Sequence, residues 1–540
     1  MKQTKYIIFI VLAAFIMASC NKQIEDYQAD PNNATSVPPD VILGTVLVDI
    51  AGRGTGDLGG IDSWDAVPAW NQYHCQNYNY YGDNTYSWSS GSFDPYLVMK
   101  NVIQMENEAL TRGANAVNPY EAIGRFIKAY YFYNLTSLFG DVPEEEALKS
   151  ADNTSPAYTS QDTVFKYVLD QLDSANADLA SLISSEDNSL SASQDIYYSG
   201  SLTQWQKAVN AFRLRVLISL SSKTSDGILN VASQFATIIN NPSEYPVLAS
   251  QDDDLQFTYD PDGTGTYSIN PFNPGAYGSI AGRYNMAYTY VNALTSISDP
   301  RVFVTCEPAT ALMGSDTANP AQFKYFTGAS TGEDVGSMYN NAFSGKYSFI
   351  NRHRYYSTYS GDPDVLVGYK EMCFNIAEAI TRGWVSGDAE TWYKKGITES
   401  FSFYGIDVTA SSFTAYFMPA DGSDPTTDPE PYTVSFDFDE YYAQSAVKLS
   451  STAATAINQI VYQKYIAMFE NSGYEAYYNW RRTGVPEFQT GTGVGNNGVI
   501  PLRWSYPTTE QTKNAANWNA ALSSQGFSAD DLNQTMWLLQ

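Results

Sequence analysis

The sequence predicts an all-α protein: a scaffold of helix pairs that carries long, aromatic, loop-rich insertions and little β-structure. Three observations carry that expectation. Apolar residues recur at helical spacing in segment after segment. These segments come in pairs joined by short polar links, and the stretches between blocks are dense in Gly, Pro, Asn, Asp and Tyr. Hydrophobic residues make up 44% of the 540, enough for a large core and too many for wholesale disorder.

The chain opens "MKQTKYIIFIVLAAFIMASC", with Lys2 and Lys5 ahead of an apolar run and small residues ending on a cysteine. A basic start, an apolar stretch too short to span a bilayer comfortably and a small-residue cut site predict a signal peptide over 1–19. Small residues running directly into Cys resemble a bacterial lipoprotein cleavage site, which makes Cys20 the lipidated N-terminus of the mature chain. Residues 20–38, polar with Pro and Asn, read as a tether, and 39–540 as a single domain.

Within that domain Leu43, Val46, Leu47 and Ile50 fall at i, i+3, i+4, i+7. Ile123, Phe126, Ile127 and Tyr130 repeat the pattern ahead of the break at Gly140-Asp141-Val142-Pro143. Val164, Val168, Leu172, Ala175, Leu179 and Leu182 trace one face of a long helix starting near Ser160. "TQWQKAVNAFRLRVLISL" begins with Thr203 and Gln206 in the spacing of a capping box. Later stripes run through Tyr369, Met372, Cys373, Ile376 and Ile380, and through Ile457, Ile460, Val461 and Met468. "AEAITRGWVSGDAETWYKKGI" sets small residues where two helices would cross, with a turn at Gly383 to Gly387; it resembles one tetratricopeptide pair. The insertions at 241–290, 303–364 and 412–441 are longer than ordinary connections and too aromatic for disorder.

Charge and cysteine content narrow the function. A formal net charge of −28 and no basic run argue against nucleic acid as a partner. Of four cysteines, Cys75, Cys306 and Cys373 remain after Cys20, an odd number with no zinc spacing. Tyrosine is over-represented, 42 against 26 Phe, and a phenol can cover an apolar face while its tip stays wet.

Several segments together resemble the SusD/RagB-like lipoproteins of Bacteroidetes. "FIKAYYFYNLTSLFGDVPEEEAL" is similar to that family's helix followed by a GDVP break, and "DIYYSGSLTQWQKAVNAFRLRVLISLS" to its Asp–Gly–Trp–Arg segment. "SDPRV", "AEAITRGW", "YEAYYNWRRTGVP" and "IPLRWSYPTTEQTKNAANW" follow in the family's order. The resemblance implies an all-α fold of about four tetratricopeptide-like helix pairs. It also implies a lipid-anchored outer-membrane protein facing the extracellular side, which captures glycans, less often peptides, for a SusC-like TonB-dependent transporter. The expectation is a binding protein and not an enzyme, with a surface glycan hydrolase as the contrasting reading.

The stretch Tyr73 to Tyr96 holds eight aromatic side chains and no Leu, Ile or Val, which predicts an ordered aromatic loop facing ligand or transporter rather than a core strand. Sugar rings offer one C–H face and a rim of hydroxyls, so planes beside amides suit them. The candidate ligand residues are therefore Tyr78, Tyr80, Tyr81, Tyr86 and Trp88, with Arg283 and Tyr284 from a second loop. His74-Cys75 is not expected to act as a nucleophile pair, since adjacent residues seldom meet in productive geometry. No metal or cofactor is expected to be required. Asp260-Pro261-Asp262-Gly263 resembles the start of a calcium loop but lacks its twelfth-position Glu, so it reads first as a turn. Arg481 and Arg482, with Trp205 and Trp384, are expected to hold the fold together.

Overall fold

The structure is a computed structural model that describes residues 36–53, 66–80, 82–149, 152–187, 189–264, 268–314, 316, 318–419 and 421–540. The signal segment, Cys20, most of the tether and Tyr81 lie outside the described residues. The main helices are α1 (Pro39–Ile50), α2 (Pro95–Thr111), α3 (Pro119–Phe139), α4 (Gln161–Ser184), α5 (Leu202–Ser219), α6 (Val231–Asn240), α7 (Val335–Phe343), α8 (Tyr369–Thr381), α9 (Ala389–Phe403), α10 (Ala453–Ala467) and α11 (Glu475–Thr483). Each of α1 to α5 packs on the next, while α8 packs on α9, α10 and α5. This neighbour-on-neighbour stacking is what short links between amphipathic helices produce. Strand is confined to three antiparallel two-stranded pairs among the described residues: β1 (His74–Gln76) with β3 (Tyr284–Met286), β2 (Leu255–Phe257) with β4 (Asp364–Val367), and β5 (Ser412–Phe417) with β6 (Glu430–Ser435).

The stripes read from the sequence are the buried faces. Leu43, Val46, Leu47 and Ile50 on α1 and all six residues of the α4 stripe belong to one hydrophobic core shared by both ends of the chain. The capping box expected at Thr203 and Gln206 does not form. The α5 cap is Ser201, whose side chain accepts from the Gln204 backbone N–H, and helix starts at Leu202. The reason lies in Asp195 just upstream. Its carboxylate accepts from the backbone N–H groups of Tyr197, Tyr198 and Gly200 and from Trp205 Nε1 at 2.9 Å. Those bonds fix the entry to α5 before residue 203, with Gly200 in a positive-φ conformation (φ +87°) that a side chain would strain.

The other signature segments are clamps of the same sort. At the end of α3, Gly140 turns the chain with φ +93°, and the following Asp141 accepts from the Gln161 N–H at the start of α4. Asp299 and Arg301 of "SDPRV" form a two-pronged ion pair at 2.9 and 2.6 Å with both side chains fully buried. Arg301 also donates to Ser400 and Gln463, which ties α9 to α10. Arg215 on α5 meets Glu371 on α8 at 2.9 and 2.5 Å, beside Lys464 on α10. Arg482 on α11 pairs with the fully buried Glu378 of α8, and Arg481 donates to the carbonyls of Leu502 and Ser137. These arginines join helices from distant parts of the chain, where each charge is buried only with its partner.

Candidate ligand-binding site

The chain enters the site through the segment after Trp70. Three residues of it, His74 to Gln76, form β1 and pair with β3 in the register His74 to Met286 and Gln76 to Tyr284. The buried amide of Asn84 then closes the loop: its Nδ2 donates to Gln76 O and its Oδ1 accepts from Gln76 N–H, each at 2.8 Å. An amide that copies a strand partner can hold a loop base without aliphatic packing. Asn77 is pinned by its N–H to Arg283 O and by its side chain to Gly282 O. Tyr78 and Tyr80 stand between these clamps, 39% and 78% exposed.

Tyr78 stacks on Tyr339 of α7 with centroids 5.5 Å apart and planes 29° apart. Tyr339 and Phe343 are one helical turn apart on α7 and stack at 6.3 Å and 18°. With Tyr80, 6.4 Å from Tyr78, they make a row of four rings that runs from the loop onto helix α7. Phe343 is 85% exposed and Tyr339 42%, an unusual placement for large rings unless the surface meets something.

Beside the row lies a cleft of about 420 Å³ lined by Asn77, Thr310, Tyr347, Glu307, Arg352, Met418 and Pro419 among others. Arg352 sits over the Phe349 ring at 4.6 Å, and its Nη1 donates to Glu307 Oε2 at 3.0 Å. Tyr347 donates its hydroxyl to Glu333 at 2.7 Å. Rings at the lip and fixed polar groups within are the mixture that grips an amphipathic ligand such as a sugar chain.

The structure divides the residues singled out in the sequence. Tyr78 and Tyr80 are at the surface beside the cleft. Arg283 and Tyr284 are half-buried next to Gly282, which lines it, and Tyr284 packs its ring on His74 and Phe272. Tyr86 and Trp88 are corrections: they are 2% and 0% exposed and lie in the hydrophobic core. Trp88 is enclosed by Trp70, Tyr477 and Trp504 at 4.9 to 5.4 Å, and Tyr86 donates its hydroxyl to Trp70 O. A platform needs an open ring face, so neither can serve as one. The stretch lacks aliphatics because its core half is packed edge-to-face by rings. Tyr339 and Phe343 were missed, although their i, i+4 spacing in "SMYNNAF" was the available signal.

His74 and Cys75 are both buried; His74 Nδ1 lies 3.0 Å from Glu470, and burial pushes the Cys75 thiol far up, so it is a core thiol. Cys306 and Cys373 are buried free thiols too. The Asp260 carboxylate is engaged by the Asp262 N–H and the Thr264 hydroxyl, the pattern of a turn. Trp205 is fully buried, and Trp384 packs edge-on against Phe235 of α6.

Stacked helix pairs beneath, with an aromatic cleft built from insertions above, define a helical-repeat scaffold with loop-borne surface features. The chain belongs to the SusD-like family: the family described as starch-binding and associating with the outer membrane matches residues 31–507. It is thus an outer-membrane-associated member of a generally non-catalytic nutrient-binding group. A SusD homologue from Bacteroides fragilis NCTC 9343 is 26% identical, with a TM-score of 0.76 over 93% of this chain and 100% of that one. An outer-membrane protein from Bacteroides vulgatus ATCC 8482, for which a part in nutrient binding is suggested, is 28% identical, with a TM-score of 0.75 over the same shares. A chitin-binding SusD homologue from Flavobacterium johnsoniae shares the fold at 18% identity and a TM-score of 0.68, over 92% of this chain and 98% of that one. No curated protein matches the sequence.

Proposed function

We propose that this protein captures oligosaccharides at the cell surface without transforming them and passes them to a SusC-like TonB-dependent transporter. The observation that carries the reading is the row Tyr80, Tyr78, Tyr339 and Phe343, exposed and stacked beside a polar cleft. Such rings cover the C–H faces of sugars, and Asn77, Thr310 and Arg352 offer partners to hydroxyls. The chitin-binding relative shows the same fold in the service of a glycan. Lipid attachment at Cys20, the tether to residue 38, a single binding domain over 39–540 and an outward-facing position complete the proposal. They rest on the N-terminal sequence and on the family resemblance, as does the transporter.

Affinity electrophoresis of the purified chain on a panel of glycans, with analysis of the same glycans for products, tests the reading. Retention without product supports it. Product that disappears when a carboxylate pair is substituted makes the protein a hydrolase, and retention by peptides alone makes it a peptide receptor.

A further inference from the structure

We infer that Glu307 fixes the charge class of the ligand: by occupying Arg352 it tunes the cleft to uncharged oligosaccharides and rejects those bearing carboxylate or sulfate groups. The inference rests on the glycan reading above and goes beyond it to the substrate class. Glu307 and Arg352 are the charged residues that line the cleft. Arg352 engages both oxygens of Glu307: Oε1 accepts the Arg352 backbone N–H at 2.9 Å and Oε2 accepts from Nη1 at 3.0 Å, with the Met418 backbone as a further hydrogen-bond partner. The Glu307 side chain is 5% exposed and that of Arg352 19%, so the pair is a fixed part of the floor rather than a mobile surface contact.

The backbone enforces the pairing. Glu307 N–H donates to Phe349 O at 2.9 Å, and Cys306 bridges to Ile350, which holds the two strands of chain in register. The guanidinium is held on its face by Phe349. An incoming carboxylate meets a guanidinium whose charge Glu307 already balances and comes to lie beside that second carboxylate, so net charge does not reward its approach. A neutral hydroxyl needs no net charge, because the planar guanidinium has five N–H donors and the ion pair engages its Nη1 group. The surroundings are acidic on balance: Asp424 and Asp428 act on Tyr277 at the cleft wall and the whole chain carries −28, while Lys346, beside the cleft, is exposed and donates to the neutral Asn341 amide.

The test is affinity electrophoresis of the full chain in gels containing neutral polysaccharides (starch, xylan, mannan, glycol chitin) or anionic ones (polygalacturonate, alginate, chondroitin sulfate). The wild type is expected to be retarded by a neutral polymer and by none of the anionic ones. Glu307→Gln keeps the side-chain shape and releases the Arg352 charge; it is expected to gain affinity for an anionic polymer by about tenfold or more, and added salt should remove the gain. A double variant, Glu307→Gln with Arg352→Gln, lacks the cation and should not show it. Retardation of the wild type by an anionic polymer overturns the inference and leaves the glycan reading standing, and this arm decides the matter even if Glu307→Gln does not fold. A folded Glu307→Gln with no gain also overturns it. Retardation by no polymer overturns both readings.

Discussion

Trp88 and Phe343 are both large rings, yet one is fully buried and the other is 85% exposed, and their substitution should have opposite consequences. Trp88→Ala removes a ring enclosed by Trp70, Tyr477 and Trp504 and should lower unfolding free energy by ~3–5 kcal/mol in urea titration. Phe343→Ala should leave the urea midpoint within experimental spread while reducing glycan retention. If the two variants exchange these effects, the division between core rings and surface rings is wrong. At this scale the sequence was readable by residue type but not by direction. Tyr78 and Trp88 sit in the same aromatic, amide-rich stretch, and only the Asn84 clamp and the β1–β3 pairing decide which rings turn inward. The clamp is a polar contact between residues eight apart and the pairing joins segments far apart in the chain, and local apolar periodicity reports neither.

At the scale of elements, the loop bearing Tyr78 and Tyr80 is held by a single amide at one end. Asn84→Ala should weaken glycan retention and speed amide exchange across 77–83, with a global stability loss of no more than ~2 kcal/mol. Retention equal to wild type would show that the clamp does not position the rings. The helix pairs give a pH prediction. Burial alone would raise the Glu378 carboxyl, but the charges of Arg482 and then Arg382 overcome it and hold it at about 2. Its folded value lies below the ordinary 4.5, so its stabilising effect is complete above that pH and is lost as pH falls from 4.5 towards 2. The window is worth roughly 3 kcal/mol. Urea midpoints of wild type and Glu378→Gln at pH 5 and pH 3 should show a flatter dependence in the variant; parallel curves would contradict the assignment. Helices were the most legible elements because a 3.6-residue stripe is a local signal, as in α1 and α4. The cap of α5 was misplaced by two residues because Asp195, a tertiary contact to Trp205, sets where the helix starts.

Across the whole molecule, buried arginines bind the helix pairs into one core, and the insertions place rings and polar groups on its surface. The scaffold motifs were visible in the sequence because each gathers its Asp, Gly and Arg residues in a short segment; Asp299 and Arg301 clamp locally, whereas Arg215 and Arg482 find their partners, Glu371 and Glu378, on a distant helix. The site was only half visible, because it joins residues near 78, 307, 339 and 352 that nothing in their separate segments connects. The central claim is that this surface row and its cleft capture a glycan. The most direct measurement is the electrophoretic retention of a Tyr339→Ala, Phe343→Ala double variant on the polysaccharide that best retards the wild type, alongside its melting temperature. Loss of at least about tenfold in affinity at an unchanged melting temperature is the predicted result. Wild-type retention by the folded double variant would contradict it.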